Sequence, residues 1–273
     1  MKRDTLEACP LMKMHPSPLQ FGFELETDKY IEKFKTYGSH TILYYQFTMG
    51  ATEHLPVVPD GCIDLLFHCY PSRPTALICG SVLQMEQIPF HARSDYFGVR
   101  FTSRHSLLLR QQLFRETINR QISLDSVVKG AAGCADGFME KLHFEERITR
   151  FEQRLLPMLI EAEAPQGLVD YCVNRIHQTL GNVGINDLAE ESGYSSRYVR
   201  KRFEDRLGIS PKLYSRIIRF QHVLYYVMKQ YTMLTDAVNL QGYYDQSHFV
   251  KEFKQFTLIT PMQMVHKVRQ AQG

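Results

Sequence analysis

Phe203 and Phe253 stand fifty residues apart, and the chain around the second resembles the chain around the first. Gly208-Ile209-Ser210-Pro211 aligns with Leu258-Ile259-Thr260-Pro261, and Ser195 aligns with Asp245. Upstream, Ile185-Asn186-Asp187-Leu188-Ala189-Glu190-Glu191-Ser192-Gly193-Tyr194 matches Leu234-Thr235-Asp236-Ala237-Val238-Asn239-Leu240-Gln241-Gly242-Tyr243. Each copy reads as a short helix, a glycine, an aromatic residue, an N-cap and a basic helix. From Leu168 onward the pattern is helical throughout, with segments expected near 168–179, 185–192, 196–207, 211–230, 235–241, 246–256 and 261–269. Short helices joined by tight turns are what a helix-turn-helix unit needs.

The physics of each copy is consistent. Gly193 and Gly242 suit the left-handed conformation that ends a helix, and Tyr194 and Tyr243 are expected to pack under the turn. Val199 and Phe203, like Phe249 and Phe253, are four apart and face a common core. The opposite faces then project Ser195, Ser196, Arg197, Arg200 and Lys201 in the first copy. They project Asp245, Gln246, Ser247, Val250, Lys251 and Lys254 in the second. Arginine matches guanine edges in the major groove and glutamine matches adenine, so double-stranded DNA is the expected partner. Charge agrees. The 106 residues from Leu168 hold 14 Lys and Arg against 9 Asp and Glu, a net +5, while the rest hold 18 against 20, a net −2. A basic segment attached to a slightly acidic one suits a polyanion.

These residues resemble the DNA-binding domain of AraC/XylS-type transcription regulators. The likeness runs through Ile185, Leu188-Ala189, Gly193-Tyr194-Ser195, Phe203, Gly208-Ile209-Ser210-Pro211 and Tyr214. It continues through Gly242-Tyr243, Asp245 to Phe249, Phe253-Lys254 and Thr260-Pro261, and covers roughly residues 168–270. The resemblance implies a non-enzymatic regulator, an activator contacting RNA polymerase, with two recognition helices held apart by a long helix near Lys212 to Gln230. Leu258 stands where the family usually has glycine, and Asn239-Leu240-Gln241 and Val238 are unusual in the second unit.

The first half reads as β-rich. Thr41–Thr48, Cys62–His68, Leu77–Gly80 and Tyr96–Phe101 combine β-branched and aromatic residues between Pro and Gly turns such as Pro59-Asp60-Gly61. After Phe101, helices are expected from Ser103 through Phe114 and from about Asp136 to Glu163, the latter divided by Pro157. Ala164-Pro165-Gln166-Gly167 is the linker. The domains are thus 1–165 and 168–273, and the class is α+β. Val58 to Phe67, Gly80 and Phe97-Gly98-Val99-Arg100-Phe101 resemble the cupin-like sandwich of many such regulators, which implies effector sensing, dimerisation or both. Tyr45, Phe47, His54, Phe67 and Arg100 are the expected effector contacts. Tyr45 and Phe47 share one strand face and Tyr44 takes the other. Arg100, in an apolar strand, either faces a polar pocket or pairs with Asp64. The apolar stripe from Phe138 to Leu159 is the expected homodimer helix.

Other classes lack their signatures. The HxH…E…H pattern of metal cupins is missing, so neither metal nor cofactor is expected. No P-loop, GxGxxG or nucleophile elbow occurs. The six cysteines, Cys9, Cys62, Cys69, Cys79, Cys134 and Cys172, form no CxxC pair and lack the compact spacing of the Ada-type repair methyltransferases, the enzyme alternative. A ligand-independent dimeric regulator is the other alternative. No apolar run of about 18 residues suggests a membrane span, and no signal peptide follows Met1, so a cytoplasmic protein is expected.

Overall fold

The computed structural model describes residues 18–37, 40–69, 75–101, 112–131, 133–138, 142–159, 167–229, 243 and 245–272. The fold is α+β, a β-rich half that also holds the short helices α1 (Gly22–Glu26), α2 (Gln112–Thr117) and α3 (Leu124–Val127), followed by a helical one. Strands β1 (Thr27–Tyr37), β2 (His40–Met49), β3 (His54–Val57), β4 (Ile63–His68), β5 (Thr75–Cys79), β6 (Glu86–Pro89), β7 (Asp95–Phe101) and β8 (Gln121–Ser123) form two sheets. The larger has the order β1-β2-β7-β4-β5-β8, antiparallel at every step; β3 and β6 form a separate antiparallel pair.

Period-2 alternation gives the large sheet two unlike faces. Tyr44, Phe97, Val99, Phe101, Ile63, Leu65, Phe67 and Ile78 turn toward helix α4 (Phe144–Arg154), helix α5 (Leu156–Leu159) and the 3-10 turn Cys134–Phe138. Tyr45, Phe47, Leu66 and Tyr96 turn the other way, toward the β3–β6 pair. Tyr45 and Phe47 stack at 6.1 Å, whereas Tyr44 meets Phe151 edge-on at 5.9 Å. Gly98, directly opposite Tyr45 in the β2–β7 register, is required here. A Cβ there would lie 2.1 Å from the Tyr45 ring.

The stripe expected to pair two chains is spent inside this one. Phe138, Ile148, Phe151, Leu155 and Leu159 are all buried, and Phe138 stacks on Phe67 at 4.3 Å. Apolar area already removed from water contributes nothing to a dimer. Pro157 sits in α5, separated from α4 at Leu155. Strand β1 is one that alternation did not suggest. Lys33 and Lys35 occupy its helix-side positions and pair with Glu145 and Glu152 at 2.7 and 2.8 Å, so lysines stand where apolar residues would have announced a strand. Residues 102–111, 160–166 and 230–242 lie outside the described residues. With them go most of the helix expected from Ser103, most of the linker and the helix expected at 235–241.

In the helical half follow α6 (Leu168–Gln178), α7 (Ile185–Ser192), α8 (Ser196–Leu207), α9 (Pro211–Lys229), α10 (Gln246–Thr257) and α11 (Pro261–Gln272). The two halves share one continuous apolar cluster. The buried Gln221 of α9 accepts from Leu19 N at 2.8 Å and donates to Pro59 O at 2.6 Å. Gly208, at the end of α8, approaches Arg115 and Ile118 so closely that a Cβ would lie 2.7 Å from Ile118. Its φ of 72° independently favours glycine.

Helices α8 and α10 end alike, the N–H of the following left-handed residue donating to a carbonyl four residues back: Gly208 to Glu204 O and Leu258 to Lys254 O. Leu258 adopts φ 63° with its side chain half exposed, so it carries strain that Gly208 avoids. Relieving about 1–2 kcal/mol of left-handed strain, less the backbone entropy glycine loses, should leave Leu258→Gly more stable by roughly 0.5–1 kcal/mol. A raised urea midpoint with unchanged m-value checks this; a lowered one would mean that Leu258 packing outweighs the strain.

Candidate functional site

The first helix-turn-helix unit is built by local chemistry. Gly193, at φ 74°, closes α7 with its N–H on Glu190 O while Tyr194 N reaches Ala189 O, the paired bonds of a Schellman turn. Ser195 then caps α8 by accepting from Tyr198 N at 3.3 Å. Val199, Phe203 and Leu207 bury one side of α8, and Phe203 meets Tyr214 of α9 at 5.5 Å. The free side carries Arg197, Arg200 and Lys201, all exposed, and the half-buried Ser196, whose hydroxyl bonds Asn186.

The second unit reproduces this from Tyr243 onward. Asp245 caps α10 by accepting from His248 N at 2.7 Å, and Phe249, Phe253 and Phe256 are buried. Gln246, Ser247, Lys251 and Lys254 are exposed and Val250 is half buried. The Ser-Pro and Thr-Pro pairs have the same task. Ser210 Oγ accepts from Leu213 N at the start of α9, and Thr260 Oγ1 from Gln263 N at the start of α11. Ser195 and Asp245 are thus occupied as caps, and of the nine other expected residues seven are exposed, while Ser196 is bonded to Asn186 and Val250 packs partly on the core.

The two turn tyrosines part company. Tyr243 is buried, 9% exposed, whereas Tyr194 is 51% exposed and stacks on Tyr198, itself 44% exposed, at 5.1 Å. The difference is a partner. Tyr243 finds the Glu252 carboxylate at 3.1 Å and Arg219 over its ring at 5.2 Å. Sequence reasoning passed over Tyr198; its aromatic type at an exposed helix position was the signal.

Glu252 fixes the second recognition helix on the first unit's support. Its buried carboxylate accepts from Arg216 Nε at 2.7 Å, while Arg219 Nε lies at 3.6 Å. Between α8 and α10 this leaves a groove of about 580 Å³ lined by Arg200, Lys212, Arg216, Arg219 and His248, with Glu252 the one acidic group. Such a concave basic surface suits a phosphate backbone.

A second hollow, about 270 Å³, lies between the large sheet and the β3–β6 pair. Phe23, Tyr45, Leu55, Val57, Leu66 and Ile88 form its apolar wall. Its floor is charged. Asp64 and Arg100 face each other across β4 and β7 and bond twice, at 2.8 and 2.9 Å. Tyr45 donates to Asp64 at 3.0 Å, and Asp60 lies 3.6 Å from Arg100. Of the expected effector residues, Tyr45 and Arg100 line this hollow. Phe47 does not, because it lies farther along β2 among Phe23, Phe90 and Tyr96. Phe67 faces α4 on the other side of the sheet, and His54 is exposed at the start of β3. Among the described residues no group of three or more His, Cys, Asp or Glu is arranged to hold a metal ion, and no helix is long and apolar enough to cross a membrane.

Residues 188–267 match the family described as helix-turn-helix domain, and residues 30–123 match a domain of unknown function, DUF6597. No curated protein matches the chain significantly. Among solved structures it is similar to ToxT from Vibrio cholerae O395 bound to (E)-4-(8-methylnaphthalen-1-yl)but-3-enoic acid, at 13% identity and TM-score 0.42, over 88% of this chain and 97% of that one. It is also similar to the C-terminal domain of AraT, a response regulator from Geobacillus stearothermophilus, at 20% identity and TM-score 0.35, over 40% of this chain and 88% of that one.

Glu252→Ala leaves two guanidinium groups and the Tyr243 hydroxyl without their shared acceptor, and should cost about 2–3 kcal/mol. Urea unfolding reads the loss, and amide exchange should place the faster opening in α10. A change of a few tenths would show that the groups re-pair with solvent freely.

Proposed function

Because residues 188–267 form a helix-turn-helix domain of the AraC type, found in DNA-binding transcription regulators, we propose that this chain binds specific DNA sequences under the control of a small organic effector. Residues 168–273 are the DNA-binding part. Residues 1–165 are the sensing part, a cupin-like sandwich whose hollow takes the effector. The reading is of a cytoplasmic activator, not an enzyme, that acts as a homodimer and contacts RNA polymerase. With the Phe138–Leu159 stripe buried, any dimer must use another surface.

One observation carries the effector reading. The segment from Ser81 to Gln87 serves the hollow and the second recognition helix at once. Ser81, Val82, Glu86 and Gln87 line the hollow. Between them, Met85 N donates to Phe256 O at 2.7 Å and Gln84 Nε2 to Gln255 O at 2.9 Å. Both acceptors are carbonyls at the C-terminal end of α10, which lack partners within the helix. A molecule that moves this wall therefore moves, or releases, the end of α10. The required bias is modest, since a ligand shifts two states only by its difference in affinity for them. A ligand-independent regulator would need no polar-floored hollow.

For base readout, Arg197, Arg200, Lys201, Gln246, Ser247 and Lys251 are the contact set, with Ser196, Val250 and Lys254 beside them and Ser195 and Asp245 placing the helix N-termini. Selection of bound duplexes from a random DNA pool tests this. The wild-type chain should enrich two short segments about 10 base pairs apart, one helical turn. Arg200→Ala should relax one base position and lose about 1–3 kcal/mol at the selected site. An equal loss on random DNA would make Arg200 a phosphate contact, and no enriched sequence would end the reading as a specific regulator.

A further inference from the structure

The hollow under the β3–β6 pair has a charge imbalance that selects its occupant. Asp60 and Asp64 both act there as acceptors only. Asp64 takes two bonds from Arg100 and one from Tyr45; Asp60 takes one from Gln20 Nε2 at 2.8 Å and one from Cys62 N at 2.9 Å. Two carboxylates thus share a single guanidinium. The two charged groups at the rim, Glu86 and Arg120, are exposed and cancel. Counted by formal charge, two carboxylates against one guanidinium give the floor one negative charge in surplus, beside a wall of aromatic and aliphatic side chains.

Resting on the effector reading above, we propose that this hollow takes a small organic monocation, an amine with an apolar body. The ammonium group would sit at the floor within reach of Asp60 and Asp64 and complete the missing counter-charge. The apolar body would lie along Phe23, Leu55, Val57 and Ile88. At about 270 Å³ the space lies just under the usual range for drug-sized ligands, so the occupant is small. A carboxylate ligand is disfavoured for the same reason. Arg100 is already held on two edges, and a third anion would have to strip it from Asp64 and leave a buried carboxylate unpaired.

Neighbouring groups feel the same field. Burial, and then the charge of Asp64, holds the Cys79 thiol and the Tyr45 phenol protonated, with Arg100 opposing. Burial also raises the pKa of Asp64 itself, with the neighbouring Asp60 adding to it, against the Arg100 charge and the hydrogen bonds from Arg100 and Tyr45.

The test uses three probes with one body: 3-phenylpropylamine, 3-phenylpropan-1-ol and 3-phenylpropanoate, titrated calorimetrically into the full chain at pH 7. The amine should bind at least about tenfold tighter than the alcohol, with the acid weakest. Asp60→Asn should bring amine and alcohol within about threefold of each other, and Ile88→Trp, which fills the hollow, should abolish binding of all three. The ranking on the wild-type chain stands even if Asp60→Asn does not fold. Tightest binding by the acid or the alcohol, lost in Ile88→Trp, would overturn the charge assignment while leaving an effector hollow in place. Binding by none at millimolar concentration, or binding indifferent to Ile88→Trp, would remove the hollow as a ligand site and the inference with it.

Discussion

Helix α9 has to satisfy three partners at once, and the rest of the structure follows from the register in which it does so. Tyr214 packs on the first recognition helix through Phe203. Arg216 and Arg219, two and five residues on, hold Glu252 of the second. Gln221, two residues further, is bonded on both its amide atoms to the β-rich half. A rigid rod of 19 residues cannot shift to improve one of these without breaking another. The Gln221 bonds are the most exacting. A buried amide without partners is expensive, so the helical half is well satisfied only when Leu19 and Pro59 are docked against it.

The β-rich half returns the constraint. Arg115 and Ile118 press on the glycine that ends α8, and Gln84 and Met85 occupy the carbonyls that end α10. Both recognition helices are therefore held at their C-terminal ends by a part of the chain well before them in sequence, while their N-terminal ends are set by their own caps, Ser195 and Asp245. This leaves most residues of the first turns exposed and ties the opposite ends to the β-rich half. The strained Leu258 follows the carbonyls held by Gln84 and Met85. Contacts across the halves stabilise the end of α10, where the sequence lacks the glycine that α8 has.

Inside the β-rich half, one alternation separates the helix-side core from the hollow. Residues 97, 99 and 101 of β7 build the core against α4, while 96, 98 and 100 belong to the other face. Gly98 admits the Tyr45 ring, and Arg100 next along that face meets Asp64 on β4. A slip of one residue would bury the ion pair in the helix-side core and expose the phenylalanines. The polar floor and the apolar core are thus enforced by the same register.

Much of this was legible locally. The capping residues, the left-handed glycines, the four-residue spacing of Val199 and Phe203, and the alternation of Tyr44 against Tyr45 and Phe47 all depend on neighbours within a turn or a strand. The sequence alone therefore determined the two helical units and which side of each helix is free. It also set Tyr44 of β2 on the face opposite Tyr45 and Phe47. Strand β1 was hidden because its helix-facing lysines are neutralised by glutamates more than a hundred positions away. Phe47, His54 and Phe67 stand outside the hollow: Phe47 lies farther along β2, Phe67 takes the helix-side face and His54 is exposed. For Phe47, its strand face says which side it takes, not whether a second layer leaves space above it; for Phe67, the side itself is set by pairing with β7. The buried fate of the Phe138–Leu159 stripe, the exposure of Tyr194 against the burial of Tyr243, and the Asp60–Arg100–Asp64 floor were decided only by tertiary structure. Each depends on a charge or a surface that the fold brings in from another element, and pairing over that distance leaves no periodic trace in the chain.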